Sequence, residues 1–356
     1  MTADCSVVIR TPSELIAAVP FIMGYHPADS LALVGLTRAR VGFAACFDLP
    51  PPECDDEDLH EGAAEIAGLV ARQGTAEMMV VGYGPPHRVT PAVLRLVQAL
   101  RLAGVRVHDA VRVTGGRWWS YVCQDPLCCP PDGTPCLPGD SVIAAEATFR
   151  GQVALPSRSD LNAQVAPVGG ETREAMVAAT GRARKRFTEL LADGLREQGR
   201  GAERYGRLIR RAGRTAVRDA ERRYRAGRPL SHDDVAWLGA VLVHKAVQDY
   251  ALDRTHLGPA NVDRTNVDRT NDEEKWRIGL WTDVLRRVEP AYAAAPACLL
   301  SYAAWRAGMG ALARIAVDRA LREEPEHQLA GLLHEILGRG LGPHLFERGG
   351  ARRRPK

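Results

Sequence analysis

EMMVVGYGPPHRVTPAVLRLVQALRLAGVRVHDAVRV, residues 77–113, is the stretch that decides the fold. Residues 77–81 read as a short, continuous apolar strand. Thr90-Pro91 then supplies a capping side chain followed by a proline at the first helical position, which predicts a helix running to Gly104. Residues 105–113 are a second strand. Strand, helix and strand at this spacing fit one right-handed βαβ unit, and Gly115-Gly116 turns the chain back into a further strand over 117–122.

Upstream, Thr11-Pro12-Ser13-Glu14 repeats the helix-start device, with a glutamate placed to return a bond to the cap. Pro20 predicts a short helix, since proline cannot continue one without losing a backbone bond. Two apolar runs, 31–36 and 41–47, suggest a hairpin; an acidic connection over 50–58 leads into a helix ending near Arg72. Downstream, 125–139 is a loop dense in Pro, Gly and Cys, and 141–149 is either helical or extended. Strand signals then vanish. Charged helices are expected over 171–194 and 201–224, an apolar helix from the Ser231/Asp234 cap to Leu252, and further helices over 272–288, 293–307 and 311–323. The expected organisation is a mixed α/β domain over 8–155 with its Cys-rich loop at 123–139, a linker over 156–172, and an all-α domain over 173–345. The tandem repeat NVDRTNVDRT at 261–270 is too short to bury a face and reads as a loop expansion.

Composition bounds the function. The 356 residues are 46% hydrophobic and 25% charged, which excludes a wholly disordered chain. Without a leader pattern or eighteen consecutive apolar residues, a cytoplasmic protein with no membrane partner is expected. Eight cysteines in a chain of this length read as free thiols rather than a disulfide scaffold. Residues 182–228 hold 16 Lys and Arg against 6 Asp and Glu, a formal +10, whereas the whole chain is only +4. The basic charge is therefore one helical stripe, not a global nucleic-acid signature.

Three motifs carry a family resemblance: TPSELIAAVPFIMGYHPADSLALVGL (11–36), WWSYVCQDPLCCPPDGTP (118–135) and LLSYAAWRAGMGALARIAVDRALREEPEHQLAGLL (299–333). Over residues 10–340 the chain resembles a widespread actinobacterial family, domain-of-unknown-function family 4192. The matching residues are Pro20, Gly24, His26, Pro27, Asp29 and Ser30, then Tyr121, Cys123, Cys128, Cys129, Pro130, Gly133 and Pro135. The third motif contributes Trp305, Gly308, Ala313, Asp318, Arg319, Ala320, Leu321 and Pro325. The resemblance implies a cytoplasmic protein and brings no activity with it. Cys136 and the NVDRT duplication depart from its pattern. Residues 293–326 also resemble one tetratricopeptide unit through Gly308, Ala313, Ala320 and Pro325, without the tryptophan expected near its start.

Cys123-x4-Cys128-Cys129-x6-Cys136 is the most chemical segment. Four thiolates could hold a tetrahedral zinc at about 2.3 Å, although adjacent cysteines rarely serve one metal. Three thiols completed by His26, His87 or His108, a reactive thiol, and a buried structural loop remain alternatives, and a Cys128–Cys129 disulfide would strain its ring. His26, Asp29 and Ser30 lie before the first strand in the wrong order for a nucleophile elbow, so a turn in which Asp29 or Ser30 satisfies backbone donors is the plainer reading. Gly82-Tyr83-Gly84-Pro85-Pro86-His87 follows a strand, where open sheets bind ligands. Its two prolines remove the N–H groups that a pyrophosphate cradle needs, leaving a small-molecule pocket with His87 and Asp109.

His244 reads as a core histidine. Arg207, Arg210, Arg211, Arg214 and Arg218 recur at helical spacing as candidate phosphate contacts, with acidic residues interleaved. Metalloprotease and P-loop signatures are absent. The leading expectation is a regulatory module binding a small molecule or protein through the α/β cleft and Cys loop. An enzyme using a cysteine thiolate or Cys-bound zinc, and a nucleic-acid-associated protein using the Arg-rich helices, are the alternatives.

Overall fold

The structure, a computed structural model, describes residues 11–37, 40–74, 77–139, 141–149, 152–195, 201–256 and 272–343. Cys5 and the NVDRT repeat lie outside the described residues. By internal packing the chain forms two units, the first running to Leu161 and joined by Arg339–Leu341, the second built from Asn162 to Gly338 among the described residues.

The first unit contains α1 (Pro12–Met23), β1 (Ser30–Thr37), β2 (Arg40–Asp48), α2 (Asp56–Arg72), β3 (Glu77–Tyr83), α3 (Pro86–Leu102), β4 (Arg106–Thr114), β5 (Arg117–Ser120), β6 (Thr134–Pro135), α4 (Val142–Phe149) and the start of α5 (Arg158–Gln164). Its six strands form one sheet in the order β2-β1-β3-β4-β5-β6. Only β3 and β4 pair in parallel, joined by α3; the other neighbours are antiparallel. A mixed sheet follows, as the βαβ pattern and hairpin spacing require. One face carries the main core, where Leu33, Val80, Leu96 and Leu100 are fully or almost fully buried with α2 and α3 packed above them. Truncating any of these leucines to alanine would cost about 2–5 kcal/mol. The indole of Trp118 donates to the Ser13 hydroxyl at 3.1 Å, tying β5 to α1.

Both prolines were misleading as helix boundaries. The Thr11–Glu14 capping box forms, but α1 passes through Pro20 and stops at Gly24, whose N–H reaches the Pro20 carbonyl at 2.8 Å. α3 begins at Pro86, four residues before the expected Thr90 cap, and contains Pro91. Each internal proline forfeits a backbone bond, whereas the apolar stripe of α3 buries Val89, Val93, Leu96, Val97 and Leu100. Burial of about 1.5–3 kcal/mol per side chain outweighs that loss.

The second unit is helical: the remainder of α5, then α6 (Gly170–Leu195), α7 (Gly201–Arg225), α8 (His232–Leu242), α9 (Lys245–His256), α10 (Asp272–Arg287), a 3-10 turn at Pro290–Tyr292, α11 (Ala294–Arg306), α12 (Gly310–Glu323) and α13 (Gln328–Gly338). The stretch expected as linker is thus partly helix, with Leu161 and Val165 buried. The apolar helix expected to reach Leu252 breaks after Leu242. His244 is half-buried at that break, and its Nδ1 accepts the Ala246 N–H at 3.2 Å, so it caps α9 instead of sitting in the core. Gly213 of α7 lies so close to α9 that a Cβ there would meet Val247 at 2.4 Å.

Arginine also has an interior use here: Arg277, Arg287, Arg306 and Arg319 are buried among the described residues. Arg287 donates to the Leu230 carbonyl and Arg319 to the Val165 carbonyl, closing loops that apolar side chains cannot satisfy. α11 and α12 form the expected hairpin, with Ala313 and Ala320 fully buried and Gly308 at φ 78° in the turn.

Candidate functional site

The Cys loop begins where β5 ends, and its base is fixed by one hydroxyl. Ser120 Oγ accepts the N–H groups of Val122 and Cys123 at 3.0 and 2.9 Å and donates to Asp109 Oδ1 at 2.7 Å. The same Asp109 oxygen accepts the Ala110 N–H at 2.8 Å, so a buried carboxylate of β4 holds the loop's first residues. Asp125 forms the next turn: its carbonyl accepts the Cys128 and Cys129 N–H groups, and its side chain accepts that of Leu127 at 2.9 Å. Gly133 then crosses the face of Trp119 at φ 75°, where a Cβ would lie 2.4 Å from the indole. Trp119 donates to the Pro131 carbonyl, Arg117 to those of Asp132 and Gly133, and Arg112 stacks 4.1 Å from the indole centroid.

This folding brings three of the four clustered cysteines together. The Sγ atoms of Cys123, Cys128 and Cys129 all lie within 4.8 Å of one another, with Cys128 exposed and the other two half-buried. Cys123 is held below the usual thiol value, chiefly because the Asp125 N–H donates to its sulfur and also through the Cys129 thiol. Burial pushes Cys129 up to about 12, with its two thiol neighbours adding to the shift. Cys136 stands outside the trio. Its N–H bonds the Gly116 carbonyl at 2.8 Å in the β4–β5 turn, because β6 runs back along β5 before the chain leaves the sheet. Among the described residues no histidine joins the sulfur cluster, so completion by His26, His87 or His108 is not what the geometry offers.

The two N-terminal motifs, by contrast, meet each other. Asp29 has φ 44° and its carboxylate contacts Arg88 at 3.2 Å, at the start of α3. The Asp29 carbonyl accepts the Leu49 N–H at 2.8 Å. The Asp29 side chain therefore serves an arginine, not the backbone of its own turn, while the Ser30 hydroxyl is buried with no hydrogen-bond partner among the described residues. His26 and His87 are exposed. Asp109 is set apart from them: Tyr83 pairs with Val113 and Met79 with Asp109, four residues along β4, or about 13 Å. The cleft and the Cys loop thus occupy different rows of the sheet.

On α7, Arg207, Arg211, Arg214 and Arg218 are exposed along one ridge, whereas Arg210 is half-buried beside Gly206. Arg214 lies 5.1 Å from the Tyr250 ring centroid.

A mixed α/β unit carrying a cysteine loop, with a helical unit after it, is the class these observations define. The chain belongs to the family described as Domain of unknown function (DUF4192), which matches residues 12–344. No curated protein and no solved structure matches it. No helix among the described residues is long and apolar enough to cross a membrane.

Proposed function

We propose that the protein is a binding module whose N-terminal unit captures a thiophilic cation, zinc in the first instance, through Cys123, Cys128 and Cys129. The observation that carries this reading is the convergence of the three sulfurs within 4.8 Å. Zinc–sulfur bonds of about 2.3 Å at tetrahedral angles set sulfur–sulfur separations of about 3.8 Å, so small side-chain rotations suffice. Three protein ligands leave a fourth position for a bound molecule or a partner's side chain, which is what makes such a site a recognition element. Capture displaces thiol protons, so affinity rises with pH. The reading keeps the division into an α/β domain and a helical domain, and leaves nucleic acid out because the accessible Asp219 carboxylate interrupts the arginine ridge.

Native mass spectrometry with elemental analysis tests it. One zinc per chain is expected, retained in Cys136→Ser and lost in Cys123→Ser, Cys128→Ser and Cys129→Ser. A chain that takes up no zinc, or a Cys136→Ser chain that loses it, overturns the assignment. The lowered Cys123 thiol favours a second reading, nucleophilic attack by its thiolate. Labelling of Cys123 alone, with an apparent pKa below about 7.5 that chelator leaves unchanged, decides for that enzyme.

A further inference from the structure

We infer that a groove bounded by α6, α7 and α8 is a second binding site, for an amphipathic anion: an apolar body bearing one carboxylate, sulfonate or phosphate. The groove has a volume of about 450 Å³, within the range of about 300–1,000 Å³ typical of small-molecule sites. Its floor is apolar because α7 presents Ala212 and Ala216 there, side chains short enough to leave space between Leu208 and Trp237. Phe187 and Tyr205 stack edge to face at 6.3 Å, and Arg182 bonds Asp233 at 2.7 Å, so the flanking helices are held independently of any occupant.

The charges at the rim choose the occupant. Asp234 is engaged by Arg223 at 2.5 Å and by the Ser231 cap, and Asp219 by Arg222 at 3.0 Å. Both lining carboxylates are therefore neutralised. Arg186 and Arg211 have no carboxylate within ion-pair distance among the described residues. Arg186 instead lies 3.9 Å from the Trp237 ring centroid, a planar guanidinium left facing the groove's apolar wall. Two uncompensated guanidinium groups beside an apolar floor complement a ligand with one anionic head and one greasy body, and disfavour a cation or a neutral sugar. Arginine suits a planar carboxylate or sulfonate through paired N–H donors.

The probe is anilinonaphthalenesulfonate, followed by its fluorescence on the full chain, with phenylnaphthylamine as the same aromatic body without the anion. The expected result is saturable binding of one anionic probe per chain, displaced by decanoate. Arg186→Gln/Arg211→Gln should weaken it at least about tenfold, the scale of one lost charged hydrogen bond. Ala216→Phe, which fills the floor, should abolish it with the far-ultraviolet circular dichroism unchanged. If Ala216→Phe fails to fold, the exposed double arginine variant still decides. Absence of binding, unaltered binding in the double variant, or equal affinity for the uncharged probe each overturns the site.

Discussion

Nδ1 of His327 stands 3.6 Å from Sγ of Cys298 and accepts the Ala330 N–H at 3.3 Å in the first turn of α13. The far ring nitrogen meets the Gln248 amide at 3.2 Å. Thiol, imidazole and amide in that order have the outline of a nucleophile, base and orienter. The thiol, however, is 0% exposed, so the arrangement joins α9, α11 and α13 and attacks nothing.

Burial, with a contribution from Glu324, pushes the Cys298 thiol up to about 12 from an ordinary value of 9.0. Above pH 9 the unfolded chain releases this proton and the folded chain keeps it, so the folded state binds more protons and stability falls as pH rises. The slope approaches about 1.4 kcal/mol per pH unit up to the folded value. Urea unfolding at pH 7.5, 9 and 10.5 should show Cys298→Ala less stable at neutral pH, with the gap to wild type narrowing through the alkaline range. Parallel curves would remove Cys298 as the titrating group.

Gly133→Ala meets two obstacles, a positive φ and the Trp119 ring. It should cost about 1–3 kcal/mol and lower zinc uptake with it. Thermal unfolding and metal stoichiometry on one preparation check both effects; full stability with full metal uptake would mean that the Trp119 contact is not what shapes the loop.

Ser120→Ala removes the acceptor shared by Val122 and Cys123 and the donor to Asp109. A loss of about 1–3 kcal/mol is expected, with faster hydrogen exchange at Val122 and Cys123 but not at Ala110, whose bond to Asp109 remains. Exchange that is unchanged at all three amides would rule out the hydroxyl as the brace.

The helical domain should fold as a fragment, and its proper start lies before Val165. Arg319 is buried and bonds the Val165 carbonyl, and the Val168 N–H reaches the Arg286 carbonyl at 2.9 Å. A fragment of residues 162–356 should therefore exceed 171–356 in stability by about 2 kcal/mol. Circular dichroism of both should be helical, and substantial strand signal in either would contradict the division.

The hairpin, the parallel strand pair and the capping boxes were legible because each is written in local periodicity or in a side chain three residues from its partner. Pro20 and Pro91 misled because the signal against helix is one residue wide, while the apolar stripe that overrides it spans several turns. The 156–172 stretch read as linker because its anchors, Arg319 and Arg286, lie more than a hundred residues away. The four cysteines announced chemistry, with Cys136 set apart by its departure from the family pattern, but not the geometry by which the other three converge. That depends on Asp109 and Ser120, whose bond fixes the loop's exit from the sheet, and on strand register, which also places His87 and Asp109 in separate rows. Arg186 belongs to the basic stretch and Trp237 to an apolar helix face, and 51 positions apart they share no local pattern that brings them together.

The bracing of the Cys loop by Asp109, Ser120 and Trp119 has a thermodynamic corollary. Zinc-finger loops acquire their shape from the ion, so much of the ion's affinity is spent on ordering chain. Here the ordering is supplied by hydrogen bonds to the sheet, so a cation taken up at the proposed site would arrive at a prepared surface. Its release would then leave the protein standing with three free thiols, so the ion can exchange with its surroundings without passing through an unfolded protein.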